Sequence, residues 1–335
     1  MDGQNIFYHY TSINSLYNII MSRELWLTNL KSSNDKSERY YTVNHMLKDM
    51  DEIINNSTDD NFKQYLLLLK KSFETHMPDL KNYLKKSDGY SLSLTDKKDN
   101  LSHWERYASS YSGVCIGINM DKLNVNFKDY SHFSITELEK ILYSDAEILD
   151  KLSHICACFY DLFEEQIRNY NDPFQKYIEQ YGFIVLVIAY NKVMNFAKNN
   201  YFADEHEFRL LFYPKTLSMK KDFLSMSRNI ILPATLKPLH DKFHSLLRMS
   251  SIEQTHFSLF KNEIRSYHKL CLADIWDSEL IPEITLGAMC RQNKQELSHF
   301  LKANGLKKTK ITISKIPIRS VSYTHLRAHE TRGNL

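Results

Sequence analysis

Between Glu205 and Tyr213 the chain reads EHEFRLLFY, with charged side chains at its first, third and fifth positions. A strand's period of two puts Glu205, Glu207, Arg209 and Leu211 on one face and His206, Phe208, Leu210 and Phe212 on the other. Two carboxylates spaced about 7 Å apart repel unless a cation or a substrate hydroxyl intervenes, and Arg209 can supply the cation. Such a row suits electrostatic or acid–base chemistry. It equally suits a solvated edge face carrying an ordinary Glu–Arg pair.

Three further groups carry polar chemistry. In Tyr8-His9-Tyr10-Thr11 the imidazole of His9 and the hydroxyl of Thr11 point the same way, a pairing able to grip a ribose or an amide. The bland alternative is a half-buried histidine and a helix cap. Ser91 and Ser93 share one face of SLS, followed by Trp104, Tyr107 and Tyr111. Trp104 and Tyr107 are three apart, neighbours on a helix, and form either an aromatic ledge beside the hydroxyls or plain core. Asn34-Asp35 with Glu38 reads most simply as a cap and an acidic first turn. The compact Cys/His cluster, His154 with Cys156 and Cys158, lacks the second half of a zinc site and reads as helix thiols.

The elements that must position these groups follow from periodicity. Strands are expected at Ile6 to Tyr10, Leu25 to Thr28, Gly89 to Leu94, Gly113 to Asn119, Glu205 to Tyr213, Ile281 to Leu286 and Lys310 to Ser314, with a short extended piece at Asn229 to Leu232. Helices are expected at Ile13 to Met21, around Leu101 to Ser109 and at Lys294 to Ala303. Longer helical insertions are expected near 37–86, 144–200 and 237–269. With no repeat, linker or low-complexity tract, 1–320 reads as a single α+β domain, and nothing in the pattern marks a second core.

Composition narrows the classes. With only 8 glycines among 335 residues, GxGxxG and GxxxxGK[ST] are missing, which counts against Rossmann dehydrogenases, P-loop NTPases and protein kinases. A net charge of +3 carries no nucleic-acid signature. The apolar run FIVLVIAY, Phe183 to Tyr190, is too short to span a membrane. Five unevenly spaced cysteines and no leader-like start place the expectation in the cytoplasm.

These segments, in this order, resemble a bacterial family catalogued as domain of unknown function 2971. The resemblance rests on Tyr8 to Thr11, Asn34-Asp35-Glu38, Ser91-Leu92-Ser93, Trp104 with Tyr107, and Gly113 to Ile118. It continues through Glu205-Glu207-Arg209, Ile281 to Gly287, and Ser314 with Pro317, and covers residues 5 to 319. A further similarity, to ADP-ribosyltransferases, lies in His-x-Thr on the first strand, a serine-bearing middle strand and a late E-x-E strand. It implies an ADP-ribosyltransferase-like split β-sheet, here carrying the long helical insertions read above, and NAD as substrate. By that similarity His9 and Thr11 hold NAD, Ser91 or Ser93 contacts its nicotinamide end, and Trp104 or Tyr107 stacks. Glu207 is then the catalytic glutamate, Glu205 orients or deprotonates an acceptor, and Arg209 completes the binding row. The implied reaction transfers ADP-ribose to an unknown macromolecular acceptor or hydrolyses NAD, in the manner of a toxin or phage-defence effector. Tyr10, where many transferases have glycine, and the wide motif spacing depart from that pattern. Two rivals remain. One is a non-catalytic defence or interaction module in which Glu205, Glu207 and Arg209 form a structural ion-pair row. The other is a metal-dependent nuclease, for which Asp99 and His103 are the nearest extra ligands.

The segment Val321 to Thr331, VSYTHLRAHET, resembles the translation of a transposon-type sequencing adaptor, so 321–335 is expected to be non-native. Removing its two arginines and one glutamate leaves 41 basic and 39 acidic residues.

Overall fold

The structure, a computed structural model, describes residues 5–32, 38–86, 89–123, 138–170, 193–212, 255–260 and 262–318, with isolated positions at 178, 182, 186 and 189. Strand β1 (Ile6–Thr11) runs into helix α1 (Ile13–Ser22), capped by Ser12, whose hydroxyl accepts from the Ser15 amide at 3.0 Å. Strand β2 (Glu24–Asn29) follows, then helices α2 (Glu38–Asn56) and α3 (Asp60–Lys86). Next come β3 (Tyr90–Thr95), the short α4 (Leu101–Tyr107) and β4 (Val114–Asn119). Strand β5 (Glu139–Lys140) precedes helix α5 (Asp145–Tyr170) and strand β6 (Glu207–Phe212). The chain closes with a hairpin of β7 (His256–Phe260) and β8 (Glu263–Cys271), then β9 (Glu283–Leu286), α6 (Lys294–Ala303) and β10 (Lys310–Ile313). This is an α+β chain built on one mixed, open sheet.

Most expected elements form within a residue or two of their predicted ends. The expected helix at 237–269 does not hold where it is described: 256–260 and 263–271 are the two strands of a hairpin. The strand-favouring types Phe257, Phe260, Ile264 and Tyr267 suit a pleated surface, and Asn262, at φ 67°, makes the left-handed turn between the strands. The extended piece at 229–232 and the Asn34-Asp35 cap lie outside the described residues, as do the side chain of Glu38 and the adaptor-like tail.

The described strands run in the order β10-β9-β4-β1-β3-β2-β8-β7, with β6 against β3 and β5 against β6. Among the described strands only β9 and β10 pair in parallel. The sheet forks at β3. Thr95 is paired to both Tyr8 and Glu207, while Ser91 is paired to both Thr28 and Leu211. A residue with two partners has them on opposite edges. Strand β6 therefore fills one edge of β3, and β1 and β2 share the other, diverging from its two ends.

One face of the sheet, covered by α1 and α6, buries Leu92, Leu94, Ile116, Leu210, Phe212 and Ile284 in the main core. The helical insertions bury a cluster of their own, with Met46, Met50, Tyr65, Leu69 and Phe73 packed against Leu152, Cys156 and residues of the 178–189 stretch. No second core was expected. The long amphipathic faces of α2, α3 and α5 create one because each helix can hide its apolar stripe against the others. Replacing fully buried Ile116 with Ala should lower unfolding free energy by about 2–5 kcal/mol in urea titration. A loss well under about 1 kcal/mol would contradict the placement of Ile116 at the sheet's centre.

Candidate functional site

The charged row on the strand begins two residues later than its alternation suggests. Residues Asn200–Glu205 form a 3-10 turn, and His206 sits at φ 42° in the left-handed region, which breaks the pleat between the two glutamates. Glu205 is therefore not on β6. It reaches the same place from the turn. Glu207 and Arg209 are on the strand but are not solvated: they are 6% and 3% exposed, and Glu205 is 5% exposed.

Buried charge requires local neutralisation, and the site provides it. Arg209 holds Glu207 side-on, Nε to Oε1 at 2.7 Å and Nη2 to Oε2 at 3.0 Å, and gives Nη1 to the Asn195 carbonyl at 3.1 Å. Lys198, itself 6% exposed, bridges the two acids, with Nζ 2.6 Å from Glu205 Oε2 and 3.2 Å from Glu207 Oε2. It also lies over the Phe202 ring at 4.7 Å. The hydroxyl of Ser93 donates to Glu207 Oε1 at 2.6 Å, and the Glu207 amide donates to the Tyr143 hydroxyl at 2.9 Å. Two glutamates, one lysine and one arginine leave the cluster neutral.

Helix α4 closes the site from one side. Its residues His103, Arg106 and Tyr107, three and four apart, face the 3-10 turn. Tyr107 donates its hydroxyl to Glu205 Oε1, and Arg106 pairs with Asp204 at 2.8 Å and more loosely with Glu205 at 3.4 Å. His103 Nε2 donates to the Glu205 carbonyl at 2.9 Å.

The ionisation states follow from this packing. Burial pushes the Glu207 carboxyl up, but Arg209, Lys198 and the bonds from Arg209 and Ser93 outweigh it and bring it to about 2. For Lys198, burial pushes down and the two glutamates more than reverse it, so it is held cationic. Burial raises the Tyr107 phenol, and Glu205 raises it further. Burial also lowers the His103 imidazole, with only partial recovery from the Glu205 carbonyl and nearby acids.

The structure thus brings together Glu205, Glu207, Arg209, Ser93 and Tyr107. Others stay apart. Cross-strand partners point to the same face of a sheet, so Tyr8, Thr95, Ser93, Glu207 and Arg209 share one face. His9 and Thr11 alternate to the other, opposite Ile116 and Val114 of the main core, as does Phe7, whose ring meets Phe208 at 4.6 Å. His9 Nδ1 lies 3.3 Å from the Ser93 carbonyl, a backbone acceptor on the edge where the sheet forks. Desolvation lowers its pKa, with partial recovery from that bond, which suits a neutral ring donating from Nδ1. On the same edge the Thr28 hydroxyl bonds the Ser91 carbonyl at 3.4 Å.

Ser91 is buried beside Leu211 with no bond to the glutamates. Trp104 is fully buried against Tyr10 and donates its indole N–H to Asp99 at 2.7 Å, so Trp104 and Tyr107 form no common ledge. Asp99 spends its oxygens on Trp104, Ser314 and the Lys315 amide. Among the described residues no group of three His, Cys, Asp or Glu side chains is placed to hold a metal ion. Cys156 is buried on Met50, and Cys158 lies near His154 on the exposed side of α5.

The residue that sequence reasoning missed is Lys198. Its signal was a charge deficit: two acids and one arginine buried together demand a second cation, but nothing in the local sequence says which.

A family model described as "Protein of unknown function (DUF2971)" matches residues 103–210, from α4 to the middle of β6. That stretch holds Tyr107, Lys198, Glu205, Glu207 and Arg209, so the chain is similar to this family across most of the ion cluster. No curated protein and no solved structure matches the chain. Among the described residues no helix is long and apolar enough to cross a membrane.

Because Glu207 titrates below its ordinary 4.5, its contribution to stability is complete above that value and is lost as pH falls through about 2. Glu207→Gln should cost about 3–5 kcal/mol at neutral pH, since it takes the carboxylate from Arg209 and leaves Lys198 with Glu205 alone, so the buried cluster carries an unbalanced positive charge. It should also flatten the loss of stability on acidification between pH 4.5 and 2. A urea midpoint series over that range checks both, and an unchanged slope would contradict the assignment.

Proposed function

We propose that this chain is a non-catalytic binding module in which Glu205, Glu207, Lys198 and Arg209 form a buried ion-pair scaffold. One observation carries the reading: the acceptor positions of Glu207 are filled by the protein's own donors. Ser93 and Arg209 occupy Oε1, and Arg209 and Lys198 occupy Oε2, against about four lone-pair sites on a carboxylate. A carboxylate neutralised in this way projects little field toward a developing cation, the work asked of it in nucleoside-bond cleavage. The separation of His9 and Thr11 from Glu207 by the thickness of the sheet supports the same conclusion.

A second reading keeps NAD as substrate, with transfer of ADP-ribose to a macromolecular acceptor or hydrolysis of NAD. It is favoured by Ser93, which is exposed and bonded to Glu207, so that a substrate hydroxyl taking the place of Ser93 would meet a carboxylate ionised at any physiological pH. In that case Tyr107 and Arg106 would flank the acceptor beside Glu205.

The two readings separate when the full chain is incubated with NAD, with and without cell extract, and free nicotinamide is followed chromatographically. The scaffold reading expects no release above a protein-free blank. Release that falls by about 10²-fold or more in a folded Glu207→Gln variant would establish the NAD reading instead.

A further inference from the structure

Between α4 and β4 three consecutive non-glycine residues, Ser109, Ser110 and Tyr111, have φ of 50°, 49° and 69°. One such residue is uncommon and three in a row make a left-handed turn, a conformation that persists only where its surroundings over-determine it. Here they do. The Tyr111 amide donates to the Trp104 carbonyl at 3.0 Å, Gly113 N to Ala108 O at 2.8 Å and Met289 N to Tyr111 O at 3.0 Å. Two glycines permit the approach: a Cβ on Gly287 would lie 2.1 Å from Tyr111 O, and one on Gly113 2.2 Å from Thr11 O.

The turn opens onto a cavity of about 640 Å³ lined by Ile13, Ser110, Ser112, Met289, Arg291 and Gln292. That is within the range of small-molecule sites. The lining contains one cation and no carboxylate, and among the described residues Arg291 makes no ion pair or hydrogen bond. All five of its donors are free for a fork-shaped acceptor. Ser110 adds an uncommitted hydroxyl beside it, while Ser112 already donates to the Ser109 carbonyl at 2.6 Å. Gln292 uses one amide N–H on the Asn293 carbonyl and keeps the other. Met289 and Ile13 give the cavity an apolar wall.

We infer that this cavity binds a small organic phosphate, with Arg291 and Ser110 on the phosphate and Met289 and Ile13 against the organic body. A single unneutralised guanidinium selects an anion, and the apolar wall selects one with a carbon skeleton. None of the ion-cluster residues lines the cavity, so the inference goes beyond the scaffold reading and does not require it.

Isothermal titration of the full chain with adenosine 5′-monophosphate, adenosine and inorganic phosphate tests this. Saturable heat is expected with the monophosphate, and binding roughly tenfold or more weaker with adenosine and with Arg291→Gln. Among the described residues Arg291 has no partner, so the variant should keep its thermal midpoint, and that measurement separates lost contact from lost structure. The inference is overturned by no heat with the monophosphate, by equal binding of adenosine, by inorganic phosphate binding as tightly, or by an unaffected Arg291→Gln. Because the readout is heat and not nicotinamide, its failure is distinguishable from failure of the functional reading above.

Discussion

Four charges that must neutralise one another out of water set the geometry around β6. Glu205, Glu207, Lys198 and Arg209 come from three pieces of chain: a 3-10 turn, the segment before it and a strand. None can be buried without the others, because an unpaired ion in the interior costs several kcal/mol while the complete set offsets most of that penalty. The network then recruits its surroundings. Ser93 ties it to β3, Tyr143 to the chain leaving β5, and Tyr107 and His103 to α4. One electrostatic requirement thereby holds the sheet, the short helix and the turn in fixed relation.

The second constraint is the fork at β3. Where β1 and β2 diverge, Ser93 has no register partner on the shared edge, and the His9 ring reaches its carbonyl instead. This gives His9 a structural task and places its ring on the core face, away from the carboxylates. The motif residues that seemed to belong to one ligand are instead divided between the two faces of a single layer. The ion cluster occupies one face, and the apolar core of α1 and α6 the other.

Much of the architecture was legible in the chain. Alternation marked β1, β3 and the apolar side of β6, while helical spacing with a serine cap marked α1. Both are local signals that burial on one face makes strong. The hairpin at 256–271 was read as helix because its apolar residues also suit a helical stripe over a short window. The pairing Leu259↔Ile264 that stabilises it is a contact between strands, invisible in either alone. The break at His206 was hidden for a related reason. The charges of EHEFR fall on alternate positions across it, and the docking of Glu205 onto Lys198 and Tyr107 makes a left-handed residue tolerable there.

Residue types, by themselves, determined that an acid and a guanidinium would share the face of a late strand, and that the chain carries no glycine-rich phosphate-loop motif. Spacing along a chain carries that information because each pleat turns successive side chains to opposite sides. Whether the row met water or was sealed, which lysine completed it, and that His9 lay across the sheet from Glu207 were decided only in three dimensions. Burial, neutralisation and face all depend on strand partners and on residues far away in sequence, and no local pattern encodes them.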